Sequence, residues 1–401
     1  MKVTPLNALL GISLSLAGAL VFSPASLADG GGDDNVLPNL LVIGTPGTSS
    51  GSFASTNGWG PILQKDLGVN VRVVPEDSEV QRHKRLTERR DLTLSSVSTA
   101  ELRFQLQGIG HYATMAPVPQ RVVWHHNDTP WSFVVSGDSD LHTMDDLKQD
   151  GLRIAQGQFS PPMIAAVRDG LPAYLGMSRE EGAAHFTFVP ASSYVENCRT
   201  VVEGRADVAY CASISSVMAE MEGAPGGIRW LPMDLDNTEA WAGFLEHRPM
   251  VMPGTITMGV SSAKGVDGLA SNFLYAAPAD ADEAFAYRMA KWFHQSYDRY
   301  KGSHPLSTRM SLEVFREYLD RSPLPVHGGT VRYLREINVW TEEDERRNQQ
   351  AIEKVDSWMA ARTAALAEAQ ASGIKPDAKD EQFMAIVQKH TQGLEGFRTR
   401  L

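Results

Sequence analysis

Short apolar runs of strand character alternate with stretches of helical periodicity through most of this chain, and that alternation constrains its fold more than any other feature. The runs fall at 40–43, 69–74, 92–94, 121–124, 132–135, 152–155, 186–189, 208–211 and 273–276, with helical patterns between them, among them 163–174, 194–203 and 281–300. Such a pattern predicts the α/β class with largely parallel sheets. A chain of 401 residues, 42% of them hydrophobic, can bury a sizeable core divided between two or three structural units.

The first residues predict export. Lys2, an apolar run over 8–22 and the small-residue end Ser26-Leu27-Ala28 have the form of a secretory signal peptide cut after Ala28. Residues 29–36 read as a flexible start. No later apolar stretch reaches the roughly twenty residues of a spanning helix, so membrane insertion of the mature chain is not expected. The net charge is −11, and loss of 1–28 removes only Lys2, leaving −12, which disfavours nucleic acid and anionic membrane surfaces as partners. Cys198 and Cys211 would meet an oxidising compartment, where they form one disulfide or remain two small buried residues. Two cysteines so placed build no metal set.

Two stretches look alike: "TERRDLTLSSVS" at 87–98 and "VEGRADVAYCASIS" at 202–215. In each, a helix closes with Glu and Arg, an Asp opens a short strand, and serines follow before another helix. Hydroxyls and unpaired backbone N–H groups gather at such a turn, which suits carboxylates or other anions. Ordinary helix capping by Ser98 and by Ser213 or Ser215 is the plainer alternative. The repetition predicts two similar lobes with a cleft lined from both sides.

The loop "VIGTPGTSSGSFAS" at 42–55 admits three readings. It contains the G-x-S-x-G spacing of a nucleophile elbow with Ser49 as nucleophile, but Thr45 and Pro46 interrupt the approach and the helix is expected only near Gly58. It lacks the lysine of a phosphate-binding loop. A polar clamp for a small solute is left. His125, His126 and Asp128 suggest a metal, yet neighbours on a strand point to opposite faces, so no metal is expected. Trp124 and Trp131 flank that pair as sheet packing or as a cleft edge. Asp145 and Asp146 read as the first turn of a short helix capped by Thr143.

After Trp340, Thr341 and Asp344 form a capping-box pattern, and Gly373 with Pro376 marks the stop of one long helix. Ile352, Val355, Trp358 or Met359, Ala365 or Leu366 and Ala369 give it one apolar stripe, and a second helix near 377–394 can fold back on it. Packing against the body is the favoured role, docking of a partner the sharper one.

The string "SPLPVHGGTVRYLRE" at 322–336 is the most distinctive in the chain, a structured turn by its prolines and glycines. Through Pro325, His327, Gly328, Arg332, Tyr333 and Glu336 the sequence resembles the TAXI family of solute-binding proteins that serve TRAP transporters. The likeness runs from about Leu40 to Trp340. Gly47, Gly51, Ser52 and Phe53 match that family's first loop, with Ala54 in place of a second aromatic residue. Gly204 with Asp207, and Ser139 with Asp146 and Leu147, match further turns. "GQFSPPM" at 157–163 departs from the usual Gly-Ser-Gly-Thr loop.

The resemblance implies an α/β, two-lobed periplasmic binding protein of type II-like form with a hinge, plus a C-terminal helical extension. Residues 37–134 with 269–340 would form lobe 1, 135–268 lobe 2, and 341–401 the extension. It implies a periplasmic receptor that presents a small-molecule solute to TRAP membrane permease subunits driven by an ion gradient. The solute is expected to be anionic, of the amino acid, dicarboxylate or keto acid class, with no cofactor and no catalytic set. Thr48, Ser49, Ser52 and Phe53 with Ser95, Ser96 and Ser98 would form one wall, and Gln158, Ser160 and Ser213 the other. The alternatives are a secreted serine hydrolase using Ser49 and a ligand-sensing or scaffolding receptor using the C-terminal helices.

Overall fold

The computed structural model describes residues 37–400; the expected signal peptide at 1–28 and start at 29–36 lie outside the described residues. The strands are β1 (Leu40–Thr45), β2 (Asn70–Pro75), β3 (Leu94–Ser98), β4 (Gln120–Ser136), β5 (Arg153–Gly157), β6 (Thr187–Ala191), β7 (Ala209–Ala212), β8 (Ile228–Leu231), β9 (Val251–Thr255) and β10 (Asp267–Pro278). The main sheet runs β2-β1-β3-β10-β4-β7, with β8 also on β4 and β9 on β10, while β5 and β6 pair separately.

Two long strands organise everything. The first part of β4 lies beside the later part of β10, which in turn pairs with β3. The second part of β4, from Trp131, pairs with β7 and β8. Each long strand therefore belongs to two cores. One core holds Trp59, Trp124, Tyr275, Phe293, Tyr300 and Phe315; another holds Phe133, Tyr210, Trp241 and Phe244. The fold is a mixed α/β structure of two lobes.

The expectation of largely parallel sheets is corrected. Only β1 with β2, β1 with β3, and β5 with β6 run parallel, whereas β10 and β4 are antiparallel to one another and to every other strand they meet. A chain that crosses between lobes on one strand and returns on another must run the second one backwards. The runs at 121–124 and 132–135 are one strand, because β10 pairs through the polar stretch Asn127–Pro130 between them.

The signature turn joins parts of the first core. The Val122 N–H donates to Pro325 O (2.8 Å), and the His327 N–H donates to Val122 O (2.8 Å). His327 caps the helix Gly328–Glu336. A Cβ on Gly329 would sit 2.0 Å from Glu283 O, so the close approach of the helix Glu283–Gln295 requires glycine there. Tyr333 Oη lies 2.6 Å from His294 Nδ1, and Arg332 covers the Tyr287 ring.

Beyond it, Thr341 and Asp344 form a capping box on the helix Glu342–Ala371. Val355, Trp358 and Met359 enter the first core, and Ala365 and Ala369 meet Phe383 and Val387 of the folded-back helix Glu381–Thr391. Among the described residues no helix is long and apolar enough to cross a membrane. Cys198, in the helix Tyr194–Arg199, is disulfide-bonded to Cys211 of β7.

Candidate functional site

A small cleft opens where strand ends of the two lobes face each other. Its first wall begins at the end of β1. The chain leaves Thr45, turns through Pro46–Ser50 and enters the helix Gly51–Leu67, whose start is fixed by Ser50 Oγ accepting the Phe53 N–H at 3.1 Å. That helix begins at Gly51 and not near Gly58, because Ser50 supplies the cap. The loop after β2 adds Asp77, and the helix Glu79–Thr87 adds Glu79 and Arg82. Gly47 lets Asp77 lie close over the loop: a Cβ there would fall 1.8 Å from Asp77 Oδ1 and turn that side chain aside.

The opposite wall carries Trp131 from β4, Phe159 and Met163 after β5, and Tyr194, Ala212, Ile214 and Ser215 around the disulfide. Thr129 and Phe273 close the floor from the two long strands. Tyr194 Oη accepts the Ala212 N–H (2.8 Å) and lies 2.9 Å from Ser215 Oγ, while Trp131 stacks on Tyr210. The walls touch: the Ser216 N–H donates to Ser49 O (3.1 Å), and Ser160 Oγ donates to Glu79 Oε1 (2.8 Å).

Charge in the cleft is unevenly placed. Arg82, 1% exposed, is already committed, with Nη2 on Glu101 Oε2 (2.5 Å) and Nη1 on Glu76 O (2.7 Å). Glu101 in turn accepts Gln105 Nε2 (2.7 Å), and Gln105 accepts Gln120 Nε2 (2.7 Å). Asp77 is exposed in the cleft and its carboxyl is raised, by burial first and by Glu76 next, against Arg82. Glu79 is partly exposed as a residue, but its Oε2 is shut from solvent. Burial, then the Glu101 charge, pushes its carboxyl well above the usual range, against Arg82, Ser160 and Arg248.

Three shielded atoms on lining residues have no hydrogen-bond partner: Glu79 Oε2, Arg82 Nε and Trp131 Nε1. Buried polar atoms are rarely left so, since each costs about 1–3 kcal/mol. All three belong to side chains that line the one cleft.

Of the residues expected from the sequence, Ser49 and Ser52 line this cleft. Ser160 reaches it through Glu79. Thr48 is exposed and Phe53 half-buried, both outside the lining. Ser95, Ser96 and Ser98 are buried in β3, Ser96 against His126 Nδ1 (2.9 Å) and Ser98 capping the helix Thr99–Gln107. Gln158 is exposed, and Ser213 Oγ donates to Met258 O (2.7 Å). Pro325, His327, Gly328, Arg332, Tyr333 and Glu336 lie in the turn against β4 and the helix after it, described above. The described residues lining the cleft include no histidine to serve Ser49 as a base.

Sequence reasoning missed Asp77, Glu79, Arg82, Thr129, Phe159, Met163 and Tyr194, and gave Trp131 only as a weaker possibility. "EDSE" at 76–79 directly follows β2, where ligands gather in open α/β sheets, and that position was the available signal. His125 and His126 lie in β4, His125 near Asp128 and His126 against Tyr275 and Ser96. Among the described residues no group of three His, Cys, Asp or Glu side chains is placed to hold a metal ion.

In structure the chain is similar to PhnD1 from Prochlorococcus marinus in complex with methylphosphonate, at 12% identity and a TM-score of 0.42 over 80% of this chain and 99% of that one. It is similar to the alkanesulfonate-binding protein SsuA from Xanthomonas axonopodis pv. citri bound to MOPS, at 16% identity and a TM-score of 0.43 over 86% and 96%. It is also similar to a TctC solute binding protein from Polaromonas, at 13% identity and a TM-score of 0.37 over 80% and 96%. No curated protein matches the sequence. The NMT1-like family matches residues 43–337, well over half of the chain, and the chain belongs to that family.

Proposed function

We propose that this protein is an extracytoplasmic solute-binding receptor that closes on a small solute carrying a carboxylate and delivers it to a membrane permease. The observation that carries the reading is the cleft itself. Loops from both walls meet across it, and three of its lining side chains keep shielded polar atoms unpaired, so a solute that reached them would complete hydrogen bonds that the protein leaves unmade. Residues 37–134 with 269–340 and residues 135–268 act as the two jaws, and β4 and β10 serve as the hinge between them. The solute's carboxylate would lie near Ser49, Ser52 and the first N–H groups of the helix Gly51–Leu67, which favour negative charge. Delivery to an ion-gradient-driven TRAP permease, in the periplasm, rests on the sequence resemblance through Pro325 to Glu336.

The test is a thermal-shift screen of the purified chain against amino acids, dicarboxylates and keto acids, followed by recovery of the solute. A receptor gains melting temperature by mass action and returns the solute unchanged. Hydrolysis of ester probes that is abolished in Ser49→Ala would replace this reading with an enzymatic one.

A further inference from the structure

The cleft holds more acidic than basic side chains in its lining. Asp77 and Glu79 both line it, while Arg82, the cation among the described lining residues, is held in a buried ion pair by Glu101. Arg82 keeps only Nε without a partner, and Trp131 only its indole N–H. These two donors suit an acceptor such as a carboxylate oxygen. Glu79 Oε2 stands apart from them: Oε1 is occupied by the Ser160 hydroxyl, and Oε2 is shielded and unpaired. The rest of the lining is largely apolar or aromatic, with Trp131, Phe159, Met163, Ile214 and Phe273. A carboxylate oxygen among aromatic faces is a favourable seat for an ammonium group.

We propose that the solute carries a protonated amine and that Glu79 is the residue that selects it, Oε2 accepting an N–H of the ammonium group beside Asp77. This rests on the receptor reading given above and narrows it, since dicarboxylates and keto acids have no such donor.

A linkage follows. Glu79 is faced by Arg82 on its own helix, Ser160 and Phe159 from the opposite wall, Glu101 from the helix Thr99–Gln107, Tyr112 from the turn Gly110–Thr114, Arg248 beyond the helix Thr238–His247, and Asp77 in the loop. Burial and the Glu101 charge raise the Glu79 carboxyl in the empty site and so favour its protonated form. An arriving ammonium replaces that proton: the N–H···O bond forms to the carboxylate, and the proton passes to buffer. Affinity for an amine therefore rises with pH through the titration of Glu79. A solute that instead accepted a hydrogen bond from protonated Glu79 would show the opposite slope.

Matched pairs that differ only at the amine provide the test: L-leucine with 4-methyl-2-oxopentanoate, L-phenylalanine with phenylpyruvate, and L-glutamate with 2-oxoglutarate. Titration calorimetry on the full mature chain, in phosphate and in Tris at one pH, reads both affinity and proton transfer. The amino acid of at least one pair should bind about tenfold or more tightly than its keto acid, the scale of a charge-assisted hydrogen bond, and should release protons. Glu79→Gln should bring that ratio close to one. Keto acids binding as well as their amino acids, proton uptake on binding, or an unchanged ratio in Glu79→Gln would overturn the proposal. If the variant fails to fold, the proton balance of the unaltered protein decides. If neither member of any pair binds, it is the receptor reading that fails.

Discussion

Arg362 offers the sharpest test of what the C-terminal helices do. It projects from the helix Glu342–Ala371 toward the helix Thr99–Gln107 and is 3% exposed. Nη1 donates to Gln105 O (2.6 Å) and Leu106 O (3.3 Å), and Nη2 donates to Tyr112 O (2.7 Å) and Met115 O (3.1 Å). Gln105 and Leu106 sit at the end of the helix Thr99–Gln107, whose last carbonyls have no partner within the helix. Two of the four bonds are short and charge-assisted, worth roughly 1.5–3 kcal/mol each, so their loss together amounts to about 3–6 kcal/mol. Against that stands the cost of keeping a guanidinium out of water, which lowers the Arg362 pKa to about 10. Arg362→Met keeps an apolar stem but supplies no donor, and should destabilise the protein by about 3–5 kcal/mol, because the carbonyls of Gln105 and Tyr112 are left buried without a donor. Urea unfolding followed by circular dichroism measures it. A loss below about 1 kcal/mol would refute the reasoning and leave the extension free to serve a partner instead. Deletion of 341–401 should then prevent folding altogether if the clasp is structural.

Two further expectations concern the body of the protein. Burial first, then Arg362 and Arg82, against Gln105, lower the His83 pKa to about 3. The unfolded chain takes up this proton below about pH 6.5, whereas the folded chain does not until about pH 3. Acidification through that window therefore costs about 1.4 kcal/mol per pH unit from this residue. His83→Gln should change the stability difference from the unaltered protein by that amount per unit between pH 6 and 4; a constant difference contradicts it. The disulfide closes a 13-residue separation, for which chain entropy predicts about 3 kcal/mol. The double variant Cys198→Ser, Cys211→Ser should lose roughly that in urea, and an unchanged midpoint would show that β7 and the helix carrying Tyr194 need no covalent tie.

The architecture was legible where it depends on local periodicity. Each expected strand lies in or beside an observed one, and the Thr341–Asp344 box starts its helix as its chemistry requires. The two long strands were not legible as such, because Asn127–Pro130 in the middle of β4 reads as a break until β10 is beside it. β8 and β9 escaped for a related reason: each is short, and Pro253 and Gly254 obscure the pattern of β9. In the cleft, Ser49 and Ser52 stood out because glycine and serine crowd a strand end. Asp77 and Glu79 did not, since acids at a helix start look the same whether solvated or buried. What meets Glu79 is Phe159 O on its backbone N–H and the Ser160 hydroxyl on Oε1, some eighty positions away in the chain, and no local pattern records those contacts.

Trp131 gives the most direct measurement of the central claim, that this cleft captures a small solute reversibly. It lines the cleft, stacks on Tyr210 and holds an unpartnered indole N–H. Titration of the mature chain with the solute found by thermal shift should give a saturable change in tryptophan fluorescence at one equivalent per chain. That change should disappear in Trp131→Phe and reverse on dialysis, with the solute intact. A signal that survives in Trp131→Phe would place binding elsewhere, and a chemically altered solute would contradict the receptor account.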